Sequence, residues 1–310
     1  MRKLELLSIG AWAPIDHLFC MHHYPEEGET ITVQAERENG YFGDCSFNLA
    51  VIAGTLGIVA GAASVVGEDF GAIGYEAYLQ AKGIDTQRIV KVPGRLCGHN
   101  YLYFDGDGKG FCFSQLGAAE EQDHYSLSRQ ELEGIGHVVI NEKFGKYTLE
   151  ALRLAKELGA ITYINGMVDT AEPEFREEFL RLTDVIFMNN SEYQRLLKKT
   201  EPKCLFRDYQ VEKLFVTEGK RGCRILTRDG VRREDAVLTS DVKDTTGAGD
   251  SFAAGVITGL IKGLDDITSV HIGAVVSSLV VRAWGCQTNA PTWQEMRQEY
   301  IKYYSEEEII

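Results

Sequence analysis

Between residues 137 and 217 the chain repeats one pattern: a short apolar run without polar–apolar alternation, followed by a segment with helical spacing. His137 to Asn141 reads as a strand, Thr148 to Leu158 as a helix stopped by Gly159, and Ala160 to Asn165 as the next strand. A helix around Phe175 to Leu182, a strand Val185 to Met188 and a helix from Glu192 to Lys198 continue it, before the apolar run Leu214 to Thr217. Strands without alternation are buried on both faces. Repeated strand–helix units of this length predict a parallel sheet with helices on both sides.

The N-terminal part adds to the same sheet. Leu4 to Ile9 and Ala60 to Val66 read as buried strands, and Asn48 to Gly57 and Ile73 to Lys82 as helices, the second ended by Gly83. Two pieces depart from the pattern. Thr30 to Ala35 alternates polar and apolar residues, the mark of a strand with one wet face. Tyr101 to Phe104 and Phe111 to Phe113 flank the turn Asp105-Gly106-Asp107-Gly108-Lys109-Gly110 and read as a hairpin. These pieces are expected to pair as a small separate sheet. A chain of 310 residues, 44% hydrophobic and 25% charged, has enough material for one large sheet with such an appendage. Near the C-terminus, Cys223 to Thr227 begins a hairpin that turns at Arg228-Asp229-Gly230, and helices are predicted over Asp250 to Lys262 and His271 to Arg282.

Charge narrows the partners. Lys and Arg total 32 against 46 Asp and Glu, a net of −14, and no basic run forms a nucleic-acid footprint, so no nucleic-acid partner is expected. No segment reaches the roughly 20 apolar residues of a membrane helix, so no membrane partner is expected either. Seven cysteines without a C-x-x-C pair fit a reducing, cytoplasmic setting. There is no G-x-x-x-x-G-K-[ST] and no G-x-G-x-x-G opening a helix after the first strand, which leaves Walker-type NTPases and dinucleotide oxidoreductases unsupported.

The segment Asp244-Thr245-Thr246-Gly247-Ala248-Gly249-Asp250 carries the chemistry. Gly247 and Gly249 leave the main chain uncovered where a helix begins, so successive N–H groups point at whatever docks there. A helix N-terminus behaves as about half a positive charge, and a migrating phosphoryl group suits it. Asp250 then lies where it orients a hydroxyl and takes its proton late, which a weak base can do in a loose transition state. The alternative for Asp250 is a stabilising charge on the helix dipole.

The stretch from Asp244 to Gly255, D-T-x-G-A-G-D-x-F-x-x-G, resembles the C-terminal signature of the ribokinase-like, or PfkB-type, carbohydrate kinases. The resemblance implies a ribokinase-like α/β fold: a central, mostly parallel sheet with helices on both faces plus a small β lid. Residues 1–11, 43–94 and 116–310 would form the core, and 12–42 and 95–115 the lid. It implies transfer of the γ-phosphate of MgATP to a hydroxyl of a sugar or sugar-like molecule, with Asp250 as base and Gly247, Ala248 and Gly249 as anion hole.

Gly43-Asp44-Cys45-Ser46-Phe47-Asn48-Leu49-Ala50 is similar to the family's N-terminal signature G-G-x-G-x-N-x-A, with Asp44 and Ser46 in place of two glycines. By the same resemblance, Gly43, Asn48 and Asp16 would bind the acceptor, and Glu142, just past the strand His137 to Asn141, would contact another hydroxyl; the other readings are a helix cap for Asn48, a surface loop residue for Asp16 and a simply exposed residue for Glu142. Asn189-Asn190-Ser191-Glu192 is similar to the N-x-x-E motif, which implies Asn189 at the nucleotide and Glu192 on magnesium through water; a capped helix start with Glu in its first turn is the other reading of these four residues. Thr217 and Gly219 match the V-T-x-G-x-x-G segment beside the nucleotide, where Lys220 and Arg221 are either added positive charge or surface residues. Gly285 falls in the adenine-edge loop, while Asp244 and Thr246 border the site at which many relatives hold potassium. A homodimer through the lid is a further implication. Two rival functions remain: a nucleoside kinase, in which Tyr41, Phe42, Tyr101 and Phe113 either stack on a base or simply pack the lid, and a catalytically idle metabolite-binding relative.

Overall fold

The computed structural model describes residues 3–105, 110–209 and 211–309. In chain order its strands are β1 (Leu6–Ile9), β2 (Ile15–Cys20), β3 (Gln34–Ala35), β4 (Tyr41–Phe42), β5 (Ala60–Gly67), β6 (Asp85–Val92), β7 (Cys97–Phe104) and β8 (Gly110–Gly117). They continue as β9 (His137–Asn141), β10 (Ile161–Asn165), β11 (Val185–Asn189), β12 (Lys213–Thr217), β13 (Cys223–Thr227) and β14 (Gly230–Glu234). The α-helices are α1 (Cys45–Thr55), α2 (Tyr75–Ala81), α3 (Arg129–Leu132), α4 (Lys146–Glu157), α5 (Pro173–Arg181), α6 (Asn190–Leu197), α7 (Pro202–Arg207), α8 (Ala248–Ile261), α9 (Asp266–Val280) and α10 (Trp293–Tyr300).

Nine strands make the large sheet in the order β14-β13-β12-β11-β10-β9-β1-β5-β6. From β12 to β6 every pairing is parallel, and β13 and β14 are added antiparallel at one edge. Successive residues of the parallel strands serve opposite layers. Leu6, Val139, Tyr163 and Phe215 pack with Ile52 of α1, Ile257 of α8 and Val276 of α9. Leu7, Val138, Ile164 and Leu214 pack with Leu152 of α4, Phe179 of α5 and Leu196 of α6. Each fully buried side chain of this kind contributes about 1.5–3 kcal/mol, against roughly 1 kcal/mol net for a hydrogen bond, so the two apolar layers dominate the sheet's stability.

The signature glycine Gly255 has a packing reason. A Cβ there would lie 2.7 Å from Gly273 Cα, so only bare backbone lets α8 and α9 approach this closely. That approach fixes the direction of α8, and with it the placement of its first turn.

The second sheet runs β3-β2-β7-β8, with β4 also paired to β2. The strand expected over Thr30 to Ala35 shrinks to Gln34–Ala35. Its contact with β2 is only Phe19↔Ala35 and Cys20↔Gln34, and the residues before it are mostly exposed, so alternation without a covering layer did not make a strand. Nor do the two expected pieces pair directly, because β2 lies between β3 and β7. The sequence pattern missed β2 and β6. Asp16 and His17 break the apolar run of β2, and β6 is a polar edge strand with Asp85, Arg88 and Lys91. Residues 106–109 of the predicted glycine-rich turn lie outside the described residues. Among the described residues no helix is long and apolar enough to cross a membrane.

Candidate active site

Four neighbouring parallel strands end in polar residues at one edge of the large sheet. Asn141 closes β9, Asn165 β10, Asn189 β11 and Thr217 β12, with Asn141 level with Asn165 and Asn189 level with Thr217. Ligands of open α/β sheets bind outside the carboxyl ends of the strands. The loop before α8 meets them there. Gly247 caps α8 at φ 71°, and an added Cβ would lie 2.7 Å from Cys286 Cβ, so glycine is required twice over. Gly249 faces open space, with nothing within 4 Å of its would-be Cβ.

Asp250, in the first turn of α8, is buried, yet both its oxygens are occupied. Asn48 Nδ2 donates to Oδ2 at 2.9 Å and Asn165 Nδ2 to Oδ1 at 2.9 Å. Burial pushes the carboxyl above its ordinary range, and these two amides pull it back. Asn48 therefore contacts Asp250 directly; it lies within α1 and is not the cap of that helix, a task Asp44 performs.

The other expected acceptor residues gather on the same side. Asp16 sits on β2 and accepts from Asn100 Nδ2 at 2.7 Å. Burial raises its carboxyl to about 7, with Asn100 acting against the shift. Gly43 makes room for it: a Cβ at that position would come within 2.2 Å of Asp16 Oδ2. Glu142 follows β9 in a left-handed conformation, φ 55°, and its Oε1 accepts from Cys45 N at 3.3 Å. Its Oε2 is buried without a partner, as are Oδ1 of Asn100 and Oε1 of Gln287, so the region holds polar oxygens that await partners. Burial, and next the charge of Asp44, hold Glu142 well above the usual carboxylate range.

Asp44 stands where the family signature has glycine, and its φ of 76° is glycine-like. The side chain offsets the strain by capping α1. Its carboxylate accepts from Ser46 N at 2.7 Å, Phe47 N at 3.3 Å and Trp12 N at 3.1 Å, and from the Ser46 hydroxyl. The altered signature thus keeps the glycine backbone and adds a buried charge, raised by burial to about 6.

On the other side of the α8 terminus lies an apolar cavity of about 290 Å³. Thr217, Gly219 and Lys220 border it together with Ala248 and Gly249, while Val237, Val270 and Ala274 supply apolar walls. Asn189, Thr246 and Gly285 are not among its walls. Asn189 instead forms a capping box with Glu192, its Oδ1 accepting from Glu192 N at 2.9 Å and its N–H donating to Glu192 Oε2 at 2.8 Å. Burial raises the Glu192 carboxyl. Gly285, at φ 82°, lies against the ring of Tyr41, and its N–H donates to Asp244 Oδ2 at 2.9 Å. Thr246 N donates to Asp244 Oδ1 at 2.8 Å, so Asp244 ties the loop before α8 to the 284–287 segment. Among the described residues no group of three or more His, Cys, Asp or Glu side chains is disposed to hold a metal.

Three of the four aromatics expected to stack on a base are placed otherwise. Phe42 stacks on Tyr75 with centroids 4.1 Å apart. Tyr101 and Phe113 pair across β7 and β8, one residue out of phase with Asn100 and Ser114. They therefore share the sheet face opposite Asp16 and Asn100. Trp12, missed in the sequence, is on the Asp16 side, where its Nε1 donates to Ser114 Oγ at 3.1 Å. Asn141, Asn165, Asn100, Tyr75 and Gln287 were also missed. Asparagine ending two consecutive strands was the one available signal.

The sequence profile of the pfkB family carbohydrate kinases matches residues 7–293. The chain is 28% identical to a nucleoside kinase of Methanocaldococcus jannaschii, covering 97% of this chain and 98% of that protein. A Staphylococcus aureus ribokinase is 24% identical, with 92% and 96% covered. The crystal structure of the Methanocaldococcus jannaschii nucleoside kinase superposes with a TM-score of 0.86, over 97% of this chain and 99% of that one. A Burkholderia thailandensis nucleoside kinase in complex with inosine also gives 0.86, at 21% identity over 96% and 98%.

Proposed function

The chain belongs to the pfkB family of carbohydrate kinases, an ATP-dependent sugar or nucleoside kinase with the ribokinase fold, and from this premise we propose how its residues divide the work. Asp250 is the base, and the main chain of Gly247, Ala248 and Gly249 receives the migrating phosphoryl group. The carrying observation is the pairing of Asp250 with two amide donors beside the open main chain at Gly249. Asp16, Asn48, Glu142 and the Gly43 backbone take the acceptor. Its hydroxyls, which donate and accept, bring the partners that Glu142 Oε2 and Asn100 Oδ1 lack.

ATP supplies the phosphoryl group, with its adenine end in the cavity between Thr217, Gly219 and α9 and its phosphates toward Asn189, Thr246 and the head of α8. The acidic side chain of Glu192 fits magnesium held chiefly by waters and phosphates. Asp244 suits a monovalent cation such as potassium: it is buried, both oxygens keep a lone pair beyond their backbone N–H donors, and among the described residues no lysine or arginine pairs with it. Gly285 shapes this corner. The small sheet acts as the lid that excludes water during transfer.

The nucleoside reading has its own support in Trp12 and Tyr41 on the Asp16 side of that lid and in the relatives named nucleoside kinases. Magnesium ATP consumption measured against pentoses, hexoses, sugar acids and nucleosides decides. Turnover is expected with a free sugar or a nucleoside; ATP binding without turnover on any of them would sink the proposal in favour of an idle metabolite binder.

A further inference from the structure

An amide beside a carboxylate is useful in only one of its two orientations. Nitrogen and oxygen of asparagine are nearly isosteric, and the oxygen turned toward Asp250 would repel it. What selects the nitrogen is behind Asn48 and Asn165. On one side the Gly43 carbonyl can only accept, so the Tyr75 hydroxyl donates to it at 2.6 Å. The Tyr75 oxygen is then left to accept, and Gln287 Nε2 donates to it at 2.6 Å. The same nitrogen donates to Asn48 Oδ1 at 2.8 Å, which obliges Asn48 to present Nδ2 to Asp250.

The opposite side repeats the logic with other residues. The Ile9 carbonyl can only accept, and Asn141 Nδ2 donates to it at 3.3 Å and to Ser8 Oγ at 2.9 Å. Asn141 Oδ1 therefore accepts from Asn165 Nδ2 at 3.0 Å, and the same nitrogen reaches Asp250 Oδ1 at 2.9 Å. Tyr75, Asn141 and Gln287 are buried, so water does not substitute for any member. Both chains start on a backbone carbonyl and end on one carboxylate, and every hydrogen between has a single workable direction.

We propose that Tyr75, Gln287 and Asn141 are positioning residues that, through Asn48 and Asn165, keep Asp250 aimed and ionised for proton uptake. The proposal rests on Asp250 being the base. Gln287 also follows Gly285 and Cys286, which touch Asp244 and Gly247, so the chain links the anion loop to the acceptor-side base. Losing a donor to a buried carboxylate raises its pKa, which agrees with the opposing effects of burial and the two amides on Asp250.

The test is the pH profile of kcat/KM for the acceptor in wild type, Gln287→Leu, Asn141→Leu and Tyr75→Phe. The acid limb is expected to move up by roughly one pH unit in the two leucine variants and by less in Tyr75→Phe, with the KM for ATP within about twofold of wild type. A role confined to packing would scale the rate equally at every pH. Limbs unmoved in all three variants overturn the proposal. Should the leucine variants fail to fold, Tyr75→Phe decides, since it keeps the ring stacked on Phe42. Carbon NMR titration of the Asp250 carboxyl reads the same shift without turnover. Asp250→Ala separates the two failures: retained activity there would overturn the base assignment itself.

Discussion

Burial strips a carboxylate of its hydration, and around the proposed acceptor site four such groups bear that cost with neutral partners. Asp16 relies chiefly on Asn100, Asp44 on backbone N–H groups, Asp250 on two asparagines, and Glu142 on one N–H of Cys45. The result is visible in protonation. Asp16, raised to about 7 by burial, keeps a proton in the folded chain that the unfolded chain releases near pH 4. Folded stability therefore falls as pH rises through that window. The melting temperature without ligands is expected to drop between about pH 4 and 7, and Asp16→Asn to flatten part of the drop while abolishing acceptor binding. A wild-type-minus-variant difference that stays constant with pH would refute the assignment of this slope to Asp16.

At the scale of elements, the start of α1 shows how a departure from a signature can be absorbed. Asp44 holds φ 76° and caps the helix, two tasks that a single substitution separates. Asp44→Gly loses the cap but relieves the backbone; Asp44→Ala loses the cap and keeps the strain. Asp44→Ala is expected to be less stable than Asp44→Gly by about 1 kcal/mol in denaturant unfolding. Equal stabilities would mean the positive φ carries no strain. The parallel elements were legible because strands buried on both faces are apolar without alternation, as in β9 to β12. By contrast β2 and β6 were not legible: β6 lies at a sheet edge, and β2 gives one face to a polar site. Edge and site strands carry polar residues for local reasons that periodicity does not encode.

Across the whole molecule, the small sheet has two unlike faces. One bears Asp16 and Asn100 toward the site; the other bears His17, Phe19, Tyr101, Tyr103, Phe111 and the 62% exposed Phe113. An outward aromatic face of this kind fits the expectation, carried by the family resemblance, that the small sheet is also a contact between two copies of the chain. Phe113→Glu should then shift the mass seen by sedimentation from dimer to monomer. A wild-type protein that is monomeric at micromolar concentration would contradict it.

The stretch Asp244 to Gly255 by itself determined where main chain would be bare, where a helix would begin and which carboxylate would stand in its first turn, because these depend on residues adjacent along the chain. Tertiary structure alone decided what that carboxylate touches. Asn48 and Asn165 come to Asp250 from separate elements, Gln287 comes to Asn48 from a third, and the direction of each amide is set by carbonyls at Gly43 and Ile9. Hydrogen-bond direction is a property of neighbours in space, which is why Asn165 and Gln287 looked like ordinary strand-end and loop amides until the fold brought them to Asn48 and Asp250.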